Sequence, residues 1–232
     1  PLLLLGLIVV EDKKVVRDFV VKFQNEIKDD PLYNTQKCVT DPKGWYLHAR
    51  NDQIDIRSKF TETLRTQDGY KSFVVIGRKR LSTFENKHNS NENEFYFDMV
   101  YHLLKDRMND ENYYYQIFLS GRTGSSTEKL KNAIERAISR DNERRIVKLN
   151  IKYNCLTVPS QTTPELSIVD YLLWALQRYI LTDDFRYYLA LKHKYNLIID
   201  LYDFKNFKQN CYNSKNRFEK TKADGFRIDG YL

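Results

Sequence analysis

Cysteine, proline, glycine and long apolar runs are all scarce in this 232-residue chain. Its three cysteines, Cys38, Cys155 and Cys211, are odd in number and far apart, and none forms a CxxC pair. That argues against a disulfide framework or zinc box and for a reducing, cytoplasmic compartment. With 8 Gly and 5 Pro, the chain has little room for long loops, collagen-like repeats or low-complexity linkers. The longest apolar stretch, residues 1–10, is too short to span a bilayer and lacks both a basic leader and a small-residue cleavage site. It reads as a buried strand, and no membrane partner is expected. Position 1 is not Met, so the natural chain is expected to begin upstream. No Walker loop, GxGxxG, HExxH or GxSxG occurs. Residues 121–126 are glycine-rich but lack the Gly-Lys-Ser/Thr ending, so they read as a helix-capping turn and nucleotide hydrolysis is disfavoured.

What is present suits a globular fold. Apolar residues make up 41% and aromatics 14%, enough for one large domain with a substantial core. Lys and Arg exceed Asp and Glu by 38 to 31, a formal charge of +7. That balance favours an anionic partner, nucleic acid foremost, although an ordinary mixed surface gives the same number.

The periodicities alternate. After the first strand, Asp12 can cap a helix in which Val15, Val16, Phe19, Val20, Phe23 and Ile27 recur at helical spacing, ended by Asp29-Asp30-Pro31. Trp45-Tyr46-Leu47-His48 reads as a short strand, 53–66 as helix and 70–76 as strand. An Asn-rich loop at 85–93 precedes a helix over 94–108 and a strand over 113–119. A helix opening at Ser126 or Thr127 and a strand or strand pair within 146–158 follow. Two helices close the domain, one after Pro164 and one over 185–202. This β-α alternation predicts an α/β fold around a mixed sheet flanked by helices, with a C-terminal helical hairpin.

The helix after Pro164 is the best marked. Thr162 or Thr163 can cap it, Pro164 suits its first position, and Glu165 can complete a Thr-x-x-Glu box or complement the dipole. Leu166, Val169, Leu173, Leu176 and Ile180 form its apolar stripe, with Asp170 at the margin. A carboxylate between Val169 and Leu173 should face a cleft, where it needs a metal, a base or a donor; the alternative is a rim Asp bonded to a nearby Lys or Tyr. A second group is His48, Asp52 and Arg57, placed by the strand reading at the sheet's carboxyl edge. His48 can ligate a metal or relay protons, or serve the structure alone. Asp184 and Arg186 read as a helix cap and an ion pair. Residues 205–227 mix Lys205, Lys208, Lys215, Arg217, Lys220, Lys222 and Arg227 with Phe207, Tyr212 and Phe218. They form either a nucleic-acid clamp or an appendage whose aromatics pack on the domain.

Taken in order, Gly6 in an apolar strand, Leu47-His48-Ala49 with Asp52 and Arg57, Gly77-Arg78-Lys79, Ser160, the segments 164–171 and 174–178, and Asp184-Phe185-Arg186-Tyr187-Tyr188 resemble the bacterial family catalogued as domain of unknown function 3800. That family looks like a distant relative of the ribonuclease H-like fold, and the match covers roughly residues 1–203, leaving 204–232 as a basic, aromatic-containing extension. The family's opening Asp-Glu-Ser-Gly strand is absent here, and with it the first carboxylate of a metal site. Ser167 and Val169 stand where the family often has Gln and Ala.

The resemblance implies a metal-dependent nuclease acting on DNA or RNA, in defence against foreign nucleic acid. In it Asp170 ligates Mg²⁺ or Mn²⁺, His48 and Asp52 support it or transfer protons, and Arg57, Lys79 and Arg178 contact phosphate. The alternative is a non-catalytic ribonuclease H-like module that binds nucleic acid or joins a larger assembly as an oligomer or with a partner protein. The scarcity of acids near the motifs favours it. A third reading, an amidohydrolase or transferase using His48, has no nucleophile to offer.

Overall fold

The structure, a computed structural model, describes residues 2–78, 81–121, 126–201, 203 and 209–221. Elements follow in the order β1 (Leu2–Val10), α1 (Lys13–Asp29), α2 (Ile54–Thr66), β2 (Tyr70–Arg78), α3 (Leu81–His88), α4 (Glu92–Leu104), β3 (Tyr114–Ser120), α5 (Thr127–Asn142), β4 (Lys152–Val158), a 3-10 turn (Ser160–Thr162), α6 (Leu166–Thr182), α7 (Arg186–Leu191), β5 (Tyr195–Leu201) and β6 (Cys211–Tyr212). β1, β2, β5 and β6 form one mixed sheet in that order: β1 runs antiparallel to β2, β2 parallel to β5, and β5 antiparallel to β6. β3 and β4 form a second, parallel pair joined through α5.

Strand alternation builds the layers. Val74 and Ile76 of β2 join the core under α1, α2, α6 and α7, whereas Val75 joins the core under α4 and α5. A sheet covered on both faces wants apolar residues in consecutive positions, which is how residues 73–76 read. Two glycines set how closely the helices approach. A Cβ on Gly6 would lie 2.8 Å from Val169 Cγ1 and 3.0 Å from Leu173 Cδ2, so α6 can lie down on β1 only because position 6 has no side chain. A Cβ on Gly77 would meet the Met99 thioether of α4 on the other face.

The expected mixed α/β architecture is present, but β3 and β4 stand outside the mixed sheet, Asp184 caps no helix because Phe185 stands at the start of α7 without a side-chain cap, and four further readings are corrected. Residues 195–201 form β5, parallel to β2, so the expected long second helix stops at Leu191 and the C-terminal hairpin is α6 with the six-residue α7. Tyr-Asn-Leu-Ile-Ile-Asp-Leu is a short apolar run, whose periodicity does not tell strand from helix until a partner strand is known. Trp45-Tyr46-Leu47-His48 is a loop without a ladder partner among the described residues; the His48 N–H that a sheet would have used is bound by the Asp52 carboxylate at 2.8 Å. The Asn-rich stretch is helical up to His88. Finally, α6 opens without a side-chain cap: Thr163, Pro164 and Glu165 carbonyls accept the first N–H groups, and Glu165 pairs with Arg17 of α1 at 3.0 Å.

Other starts match their signals. Asp12 accepts from the Lys14 N–H at 2.8 Å and Ser126 from the Lys129 N–H at 3.1 Å, each satisfying an orphan donor of the first turn. In the C-terminal segment, β6 joins the sheet, Tyr212 and Phe218 are buried, and the Tyr188 hydroxyl donates to the Phe218 carbonyl at 2.7 Å. These aromatics therefore pack on the domain; Phe207 and the residues beyond 221 lie outside the described residues. Most of the glycine-rich 121–126 turn does too. Among the described residues, no helix is long and apolar enough to cross a membrane.

Candidate functional site

The site is built where the 45–57 loop is pressed against α6. Asp170 lies in the second turn of α6, and its Oδ2 accepts the Ala49 N–H at 2.7 Å. His48, one residue earlier in the loop, presents Nδ1 at 3.8 Å from the same oxygen. That is too long for a direct hydrogen bond, and among the described residues the buried Nδ1 has no hydrogen-bond partner. The two side chains keep 32% (His48) and 38% (Asp170) of their surface open, so the pair is accessible from one side. Enclosure of the carboxylate raises the Asp170 pKa above its ordinary value, opposed by the nearby imidazole and by the Ala49 N–H. A carboxylate with a raised pKa is a better base than a fully hydrated one.

Asp52 holds the loop in shape. It is almost fully buried, and its oxygens accept from Trp45 Nε1 at 2.9 Å, from the His48 N–H at 2.8 Å and from the Tyr171 hydroxyl. Burial still raises its pKa, against the opposing pull of those donors. Its oxygens point away from solvent, so its part in the site is to position His48. Arg57 closes the same loop from α2. Its Nε donates to the Ala49 carbonyl at 2.6 Å, its Nη2 donates to the Asp52 carbonyl, and its guanidinium stacks 4.5 Å from the Trp174 ring.

Asp170, Trp174 and Arg178 succeed one another at four-residue intervals along α6, on one side of the helix. The Arg178 guanidinium lies 5.8 Å from the Trp174 ring, and its Nη2 donates to Asp184 at 3.4 Å. Asp184 is also gripped by Arg186 at 3.0 and 3.1 Å, and that bond, with Arg178's, holds its pKa below the ordinary carboxylate range. Of the expected site residues, His48, Asp52, Arg57 and Asp170 are joined where the 45–57 loop meets α6, and Arg57 and Arg178 both lie over Trp174. Lys79 lies outside the described residues. Sequence reasoning did not find the contributions of Trp45, the Tyr171 hydroxyl and the Ala49 N–H. Tyr171 follows Asp170 directly, but nothing in the spacing shows that it turns toward Asp52.

A metal ion fits this donor set poorly. Asp170 and His48 are two candidate ligands, Asp52 and Asp184 are committed to other donors, and among the described residues no group of three or more His, Cys, Asp or Glu could hold a metal. Mg²⁺ or Mn²⁺ asks for about six oxygen-rich ligands, several of which can be water. Two protein groups, one of them a nitrogen, make a weak anchor. No known protein family, curated protein or solved structure matches the chain.

Proposed function

We propose that the protein hydrolyses phosphodiester bonds in nucleic acid at the His48–Asp170 pair. The observation that carries this reading is an imidazole facing a carboxylate across 3.8 Å, both open on one side, beside the Arg57–Trp174–Arg178 row. With Nδ1 turned to Asp170, Nε2 lies on the far side of the ring, free to take a proton from water as that water attacks phosphorus. The phosphorus–oxygen bond to the leaving nucleotide then breaks, its oxygen takes up a proton from solvent, and His48 returns its own proton to solvent to close the cycle. Asp170, 3.8 Å from Nδ1, stabilises the imidazolium through its charge, and the Ala49 N–H fixes Asp170. The guanidiniums of Arg57 and Arg178 place positive charge beside the row without giving up their own bonds.

Membership of the domain of unknown function 3800 family, a ribonuclease H-like ancestry and a role in cytoplasmic defence belong to the same proposal. A mixed sheet with helices on both faces and three unbridged cysteines are in keeping with it. A second reading, a binding module without catalysis, is favoured by the poor metal fit. Labelled DNA and RNA incubated with the protein and with Asp170→Asn, in Mn²⁺ or in chelator, separate the two. Cleavage lost in the variant supports hydrolysis, and cleavage in chelator assigns it to His48 without metal. Salt-sensitive binding by both proteins with no cleavage establishes the module.

A further inference from the structure

On the sheet face opposite Asp170, α5 carries arginines at 136 and 140, and Arg144 follows in the turn beyond its end. A four-residue step places Arg136 and Arg140 about 6 Å apart along one side of the helix, and Arg144 reaches the same α4 ring as Arg140. Each guanidinium lies over an aromatic ring of α4: Arg136 is 4.8 Å from Phe97, and Arg140 and Arg144 are 4.2 and 5.6 Å from Tyr101. Stacking holds a guanidinium plane while leaving N–H edges open, so the entropy of fixing the fork is spent before any ligand arrives. Arg136 and Arg140 remain half-exposed although they pair with Glu94 (3.0 Å) and Asp98 (3.2 Å). Arg144 is exposed and has no carboxylate partner among the described residues, since neighbouring Asp141 is bound by Arg145. Tyr101 Oη is buried beside these arginines and, among the described residues, lacks a hydrogen-bond partner. Lys87 adds a further cation at Asp98, whereas burial lowers His102 to about 4, so it adds no charge at neutral pH.

We propose that Arg136, Arg140 and Arg144 form a second nucleic-acid contact, which binds the phosphate backbone along α5. The rings beneath are covered by the guanidiniums and cannot stack on bases, so the contact reads backbone rather than sequence. Glu94 and Asp98 hold the forks in place and compete with phosphate for them. The site shares only its ligand class with the His48–Asp170 reading and is tested without cleavage.

The probe is a fluorescein-labelled single-stranded 20-mer DNA, with binding followed by anisotropy in chelator across a KCl series. Removing one cation from the phosphate backbone should flatten the log K against log salt slope by about 0.7. Arg144→Gln, which breaks no ion pair among the described residues, is expected to remove one such step and weaken binding several-fold. The triple Arg→Gln variant should remove three such steps, flattening the slope by about 2. Glu94→Gln, which releases Arg136, is expected to bind more tightly, a gain that a purely structural role does not produce. A triple variant that melts with the wild type yet keeps its slope, a Glu94→Gln that binds no tighter, or a wild type that does not bind the probe overturns the proposal.

Discussion

Replacing Asp52 by Ala removes the acceptor at the centre of the 45–57 loop and orphans three donors: Trp45 Nε1, the His48 N–H and the Tyr171 hydroxyl. Each buried donor left without a partner costs about 1–3 kcal/mol. Two effects reduce the sum. Water can reach the His48 side of the loop, and deleting Asp52 also removes the penalty of a buried carboxylate, which its raised pKa reflects. A net loss of about 3 kcal/mol follows. In urea, with an m-value of about 3 kcal/mol/M for a chain of this size, the midpoint should fall by about 1 M with m unchanged. The pH dependence has a definite sign. Asp52 binds its proton more tightly folded than unfolded, so its contribution to stability grows as pH falls from the raised folded pKa toward 3.8 and is lost as pH rises through that window. The gap between wild type and Asp52→Ala should therefore widen toward acid. A midpoint shift below about 0.3 M, or a gap that narrows toward acid, refutes the role given to Asp52.

Other expectations follow from the packing and the charges. Gly6→Ala forces Val169 and Leu173 aside, and should cost about 1–3 kcal/mol while displacing Asp170, the residue after Val169; a cleavage assay beside a thermal melt checks both. Asp200→Ala leaves the Arg78 guanidinium, wholly buried and bonded to Asp200 through Nε at 2.8 Å, without its main counter-charge. A loss of about 3–5 kcal/mol in urea unfolding is expected. Asp170→Asn keeps an oxygen for the Ala49 N–H and removes an ionised group that its enclosure penalises, so stability should hold or rise at neutral pH while activity is lost. Stability falling together with activity contradicts that separation.

Much of the fold was legible where two local signals agree. Asp12 and Ser126 mark helix starts because short acceptors there meet first-turn N–H groups, and β1 is readable because an uninterrupted apolar run of nine residues has nowhere else to go. Residues 195–201 were not legible as strand, since an apolar run that short takes its identity from the β2 edge beside it, 122 or more residues away in sequence. Trp45 to His48 misled in the opposite sense. Their β-forming side chains suggest a ladder, yet the His48 N–H is satisfied by Asp52. At the site, the prominence of Asp170 was readable from the margin of the apolar stripe on which it lies. Its bond to Ala49 spans 121 residues, and no periodicity encodes it.

The most direct test is the rate at which His48→Asn cleaves a labelled oligonucleotide, compared with wild type at the same pH and salt. General-base catalysis by His48 predicts a loss of about 10²–10⁴-fold with the melting temperature unchanged. Cleavage at the wild-type rate by a folded His48→Asn protein would contradict the account.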